Sequence, residues 1–127
     1  MSFDWKRYLV FAQNLSAQAA ASTDSEALCR SAVSRAYFGA YCHARNYAKA
    51  FLEFDPREDS DDHGRLRAHL KGRRRAGDAN RLEQLRQLRN HADYQNDLPW
   101  VDVPANVEVA LRFAESVFKS LIPPKTS

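Results

Sequence analysis

The sequence predicts an all-α fold, an up-and-down bundle of four main helices and one short helix. Three observations carry this expectation. Glycine and proline are scarce, four and five in 127 residues. The prolines, Pro56, Pro99, Pro104, Pro123 and Pro124, leave long unbroken segments between them. Apolar residues recur at helical spacing within those segments, and no stretch alternates with the period of two that a half-buried strand needs.

The first helix is expected from about Asp4 to Ala21, with Trp5, Leu9, Ala12, Leu15 and Ala19 on one stripe. "TDSE", Thr23 to Glu26, has the form of a capping box, so a second helix should start there and run to Phe51 or Leu52. The acidic loop "EFDPREDSDD" follows, ending in Asp61 or Asp62 as an N-cap for a short third helix from His63 to about Lys71. "GRRRAGD" breaks that helix, and Asp78 can cap a fourth that runs to about Tyr94. After the connector "QNDLPWVDVP", Asp102 and Pro104 open a fifth helix. There Val107, Ala110, Leu111, Ala114, Val117, Phe118 and Leu121 repeat at helical spacing. The chain reads as one domain over residues 1–127, with its core at about 4–121 and a frayed tail at 122–127.

The second helix is apolar nearly all round. One arc carries Val33, Ala36, Tyr37, Ala40, Tyr41, Ala44, Tyr47, Ala48 and Phe51, while Ala32, Gly39, Cys42 and Ala50 form a lane of small residues on the other side. Such a helix is buried all round, either centrally or at a homodimer seam. Close approach of another helix at Gly39 would offset the roughly 1 kcal/mol that a mid-helix glycine costs.

Hydrophobic residues make up 44% and charged residues 28%, an ordinary soluble composition, and the net charge is a mild +3. No apolar run approaches the ~20 residues of a membrane span. "MSFDWKRYLVF" lacks the layout of a secretory signal, so a cytoplasmic chain is expected. Cys29 and Cys42 would lie about 20 Å apart on one helix, too far to bridge, and read as reduced, buried thiols.

Two polar segments carry the chemistry. "LRQLRNHADYQ", Leu85 to Gln95, places Leu82, Leu85, Leu88 and Ala92 on a core arc when wound as a helix. Arg89 then sits at the core edge, one turn before Asp93 and able to pair with it, with Asn90 and Tyr94 nearby. His91 points away from the core, beside Gln84 and Gln87. The second segment, "HGRLRAHLKGRRR", holds Arg65, Arg67, Lys71, Arg73, Arg74 and Arg75, either a solvated basic face beside the acidic loop or a patch tracking RNA phosphates. His63 and His69 lie beside Asp61 and Asp62, but zinc spacing is lacking and no metal or other cofactor is expected.

"SRAYFGAYCHA", Ser34 to Ala44, followed by "LRNHADY", Leu88 to Tyr94, resembles the HEPN domains, those with a "SRAYYAxFHAA" helix and an "RNxADY" helix. "DHG", Asp62 to Gly64, looks like the "THxG" that opens their short third helix, and the resemblance spans about residues 5–121. It implies a helical bundle that forms a homodimer with the motif helices facing across a two-fold cleft. It further implies a metal-independent endoribonuclease, often a toxin, defence or RNA-processing protein, or else a non-catalytic module that dimerises or docks on a partner. The partner in similar systems is often a nucleotidyltransferase acting as antitoxin, sometimes by adenylylating a motif tyrosine, here Tyr94.

Laid onto this chain, the motif arginine is Arg89 and its polar companion Asn90, with Tyr94 in the histidine position. An alternative register uses Arg86 and His91, with Gln87 in the polar slot. Arginine suits a phosphate because its planar fork binds two oxygens, and asparagine can orient it. Proton transfer wants an imidazole, titrating near 6.5, rather than a phenol near 10. That role stays open between His91 and Tyr94, with His43 or His91 of a partner subunit as further candidates. Ser34, Arg35, His43, Arg86 and Asp93 are expected to support the site.

Overall fold

Five helices follow one another in the computed structural model, which describes residues 3–94 and 103–124: α1 (Lys6–Ala19), α2 (Ser25–Phe51), α3 (Asp62–Gly72), α4 (Ala76–Tyr94) and α5 (Val103–Ser120). Among the described residues there is no strand, and the expected all-α bundle is the one observed. The connector residues 95–102, including the proposed cap Asp102, and the tail beyond Pro124 lie outside the described residues.

Helix α2 touches all four of the others and is the axis of the molecule. Val33, Ala36, Tyr37, Ala40, Ala44 and Ala48 are buried, as the apolar arc requires. The small-residue side is buried too, and by the chain itself. A Cβ on Gly39 would lie 3.0 Å from Tyr8 Cβ and 3.1 Å from the Trp5 carbonyl oxygen. Helix α1 therefore crosses α2 at Gly39, and Ala32, Gly39 and Cys42 are closed within the monomer; only Ala50 stays exposed. The central position, rather than a seam between copies, accounts for the lane. Gly39→Val should destabilise the fold by about 1–3 kcal/mol, because α1 must back away from a backbone contact. Chemical denaturation checks this, and an unchanged midpoint would mean that α1 yields freely.

Several helix starts differ from expectation, for local reasons. The α2 N-cap is Asp24, not Thr23, and it makes no side-chain capping bond. The Ser22 hydroxyl accepts the Asp24 amide at 3.0 Å, and Glu26 turns forward to pair with Arg30 at 3.2 Å. Helix α4 begins at Ala76, two residues before Asp78, which is buried and accepts the Ser120 hydroxyl at 2.8 Å, tying α4 to the end of α5. At α3 the expected alternative Asp61 takes the N-cap position, without a side-chain capping bond, and Asp62, the first helical residue, faces backward into the preceding loop. It accepts the amides of Arg57 (3.1 Å) and Glu58 (2.7 Å) and the Arg65 guanidinium (2.6 Å). Burial pushes its carboxyl up, yet these donors outweigh that and hold it below the usual carboxylate range.

Cys29 and Cys42 are free and buried, and burial raises both thiols. No described helix is long and apolar enough to cross a membrane.

Candidate functional site

The polar segment at the end of α4 lies against the first half of α2. The last carbonyls of a helix lack partners within it, and Arg30 donates to one of them, that of Ala92, at 2.9 Å. One turn further along α2, the Ser34 hydroxyl donates to Asp93 Oδ2 at 3.2 Å. The same carboxylate oxygen accepts Arg89 Nε at 2.9 Å. Asp93 thus fixes the guanidinium from one side while Phe38 supports it from below, its ring centroid 4.8 Å from the Arg89 Cζ. The Tyr94 and Tyr37 rings lie at 5.5 and 6.0 Å. The Arg89 side chain keeps 20% of its surface exposed; one terminal nitrogen donates to the Tyr94 hydroxyl at 3.5 Å, and the other makes no bond to a described residue. It is a positioned cation with one open edge.

A second group meets it from α3. The Tyr37 hydroxyl and His63 Nδ1 share a hydrogen bond. The His63 ring stacks on Tyr41, with centroids 3.9 Å apart and planes within 5°. Two tyrosines of α2 therefore set both the tilt and the rotation of this imidazole, and no described residue bonds its Nε2. Burial lowers the tendency of His63 to charge, and the nearby Arg89, Arg67 and Arg86 lower it further against the opposing pull of Asp62. Burial drives the Tyr37 phenol well above its ordinary range, so its hydroxyl stays neutral.

Arg67 of α3 and Arg86 of α4 share one carboxylate between them. Arg67 Nε lies 2.9 Å from Glu83 Oε2, and Arg86 binds Glu83 through Nε (3.1 Å) and a terminal nitrogen (2.7 Å). The Arg86 bonds hold the Glu83 carboxyl down to about 2 against the push of burial, with Gln87 and the Arg67 charge assisting. A depressed carboxylate contributes stability above its ordinary 4.5 and loses it as pH falls toward 2. The side chain is one-third exposed, so solvent screening reduces the contribution to about 1 kcal/mol. Denaturation of the wild type and Glu83→Gln across that acid range should show the gap between them closing; a gap that persists at pH 2 would contradict this account.

The structure brings together Arg89, Asp93, Ser34 and Tyr94, and keeps other candidates apart. His91 is exposed and makes no hydrogen bond or ion pair to a described residue. Asn90 is half-buried and makes no side-chain hydrogen bond to a described residue. His43 stands elsewhere: its Nε2 binds the Leu121 carbonyl at 2.8 Å, its ring packs on Phe118, and it lines a groove of about 290 Å³ between α1 and α5. Arg35 is exposed over the Tyr8 ring of α1. Neither His43 nor Arg35 supports Arg89 within the monomer.

The basic tract is not one continuous face. Arg73 donates to the Leu52 carbonyl, Arg75 to the Tyr47 hydroxyl, and Arg65 to Asp62 and the Asp55 carbonyl, so these three brace the loop and the end of α2. Arg67 alone of the six reaches the Arg89 neighbourhood, while Lys71 and Arg74 are exposed. Arg74 has a left-handed backbone, φ 64°.

The chain matches no known family model, no curated protein and no solved structure. The HEPN resemblance therefore rests on the motif residues themselves.

His63, Tyr41, Phe38 and Glu83 are the members of this cluster that sequence spacing passed over. One signal was available: His63 and Arg67 lie four apart and so share a face of α3.

Proposed function

We propose that this protein handles RNA phosphates as a HEPN-type, metal-independent endoribonuclease, with Arg89 as the phosphate clamp. The observation that carries the reading is the Arg89 guanidinium, fixed by Asp93 at 2.9 Å over Phe38 with an edge left open. Arg86 and Arg67 extend the positive field beside it. In this reading Asn90, next in sequence, orients a bound phosphate. A homodimer that pairs two such α4 helices belongs to this proposal, as does a toxin or defence role. So does a nucleotidyltransferase antitoxin; Tyr94, with 69% of its surface exposed, is a reachable target for adenylylation.

The test is incubation of purified protein with mixed RNA in EDTA, with the product ends identified. The expected products carry 2′,3′-cyclic phosphate and 5′-hydroxyl ends. Absence of cleavage, or cleavage that Arg89→Ala retains in full, rejects the enzyme.

A second reading, a docking module without catalysis, is favoured by one observation. Phe3, Val10 and Phe11 of the α1 face are each 49% exposed, an apolar surface of the kind that partners cover. Under that reading the protein binds a partner while Arg89→Ala leaves binding unchanged.

A further inference from the structure

We infer that His63 is the proton-transfer residue of this site, acting through Nε2 on the sugar hydroxyl next to a phosphate held by Arg89. The inference rests on the ribonuclease reading and supplies the group that the motif itself leaves open, since Tyr94 is a phenol and His91 stands alone in solvent.

The geometry is that of a held base. The Tyr37 hydroxyl engages Nδ1, Tyr41 stacks on the ring at 3.9 Å, and Nε2 is left without a described partner. When Nδ1 carries the proton it donates to the Tyr37 oxygen, and the Nε2 lone pair is the one available for substrate. Tyr37 also links the imidazole to the clamp: its ring centroid is 5.6 Å from that of His63 and 6.0 Å from the Arg89 Cζ. A nucleotide spanning the two would place its phosphate on α4 and its ribose on α3.

The step balances without another reactant. Nε2 takes the 2′-hydroxyl proton as the 2′-oxygen bonds to phosphorus. The bond from phosphorus to the 5′-oxygen breaks, its electron pair leaves with that oxygen, and solvent protonates it. The proton on His63 then returns to solvent, leaving a 2′,3′-cyclic phosphate and a 5′-hydroxyl.

The groups facing the imidazole are Tyr37 and Tyr41 from α2, Asp62 and Arg67 from α3, and Arg86 and Arg89 from α4. Together with burial they favour the neutral ring, Asp62 alone among the charges opposing. The base is thus ready at neutral pH, and kcat/KM should fall only as pH drops below the ordinary histidine range.

The experiment measures RNA cleavage in EDTA by the full chain and its variants. His63→Gln should lower kcat by about 100-fold or more with KM little changed. His63→Ala should regain part of its rate on addition of imidazole, which a structural role would not give. Tyr37→Phe should show a smaller loss and a displaced acidic limb, and it keeps the test open should the His63 variants fail to fold by circular dichroism. Full activity in His63→Gln with activity lost in Arg89→Ala overturns the inference and leaves the ribonuclease reading standing. Loss in His91→Gln but not in His63→Gln moves the base to His91. No cleavage by the wild type overturns both.

Discussion

Arg89→Ala should lower metal-free RNA cleavage by about 100- to 1000-fold, the cost of removing one preorganised donor from a developing anion. The size follows from how this side chain is held. Asp93 binds its Nε at 2.9 Å, Phe38 lies beneath it at 4.8 Å, and Ser34 in turn fixes Asp93 at 3.2 Å. The guanidinium therefore needs little reorganisation to meet a phosphate, and alanine removes charge and geometry together. Arg89→Lys should recover only a small part of the rate, because an ammonium offers neither the planar fork nor the same stacking on Phe38. Stability should hardly move. The pair it forms with Asp93 is 20% and 26% exposed, and such pairs contribute about 1 kcal/mol or less. Steady-state rates measured beside denaturation curves separate the two effects. A rate within a few-fold of wild type would show that Arg89 is an ordinary ion pair near a helix end.

The bundle was legible in the sequence because burial follows helical spacing directly. Leu9, Ala12 and Ala19 on α1, or Val107, Ala110, Ala114 and Val117 on α5, are both periodic and buried. Arg89 and Asp93 were legible for the same reason, being one turn apart on a face whose core arc was already fixed. What spacing cannot supply is the partner across a helix boundary. Gly39 is ambiguous without α1 lying on it, and Asp78 reads as a cap because nothing local points to Ser120, whereas Asp62 turns to Arg57 and Glu58 in the loop just before it. His63 was the costliest omission. Beside two aspartates it reads only as a metal candidate without zinc spacing, and it is the packing of α3 on α2 that brings it onto Tyr37 and Tyr41. The basic tract is the opposite case: of six charges close in sequence, Arg65, Arg67, Arg73 and Arg75 turn to different partners, while Lys71 and Arg74 are exposed.

Leu66→Ala should destabilise the protein by about 2–4 kcal/mol and disturb the site more than the core. Helix α3 has only 11 residues, too few to persist alone in water. It is held by Leu66 and Leu70, both fully buried one turn apart, and by the Asp62 anchor at its start. Its packing is mainly against α4, whereas α2 is clasped from every side. Truncating Leu66 opens a cavity under the turn that carries His63 and Arg67, so the imidazole should lose its register on Tyr41 before α2 loosens. Hydrogen exchange should accordingly show α3 amides losing protection ahead of those in α2. Cleavage at a temperature where the variant remains folded should fall with that local opening. If α2 and α3 instead lose protection equally, α3 is an integral layer of the core rather than a separately anchored arm, and the positions of His63 and Arg89 are coupled through the whole bundle.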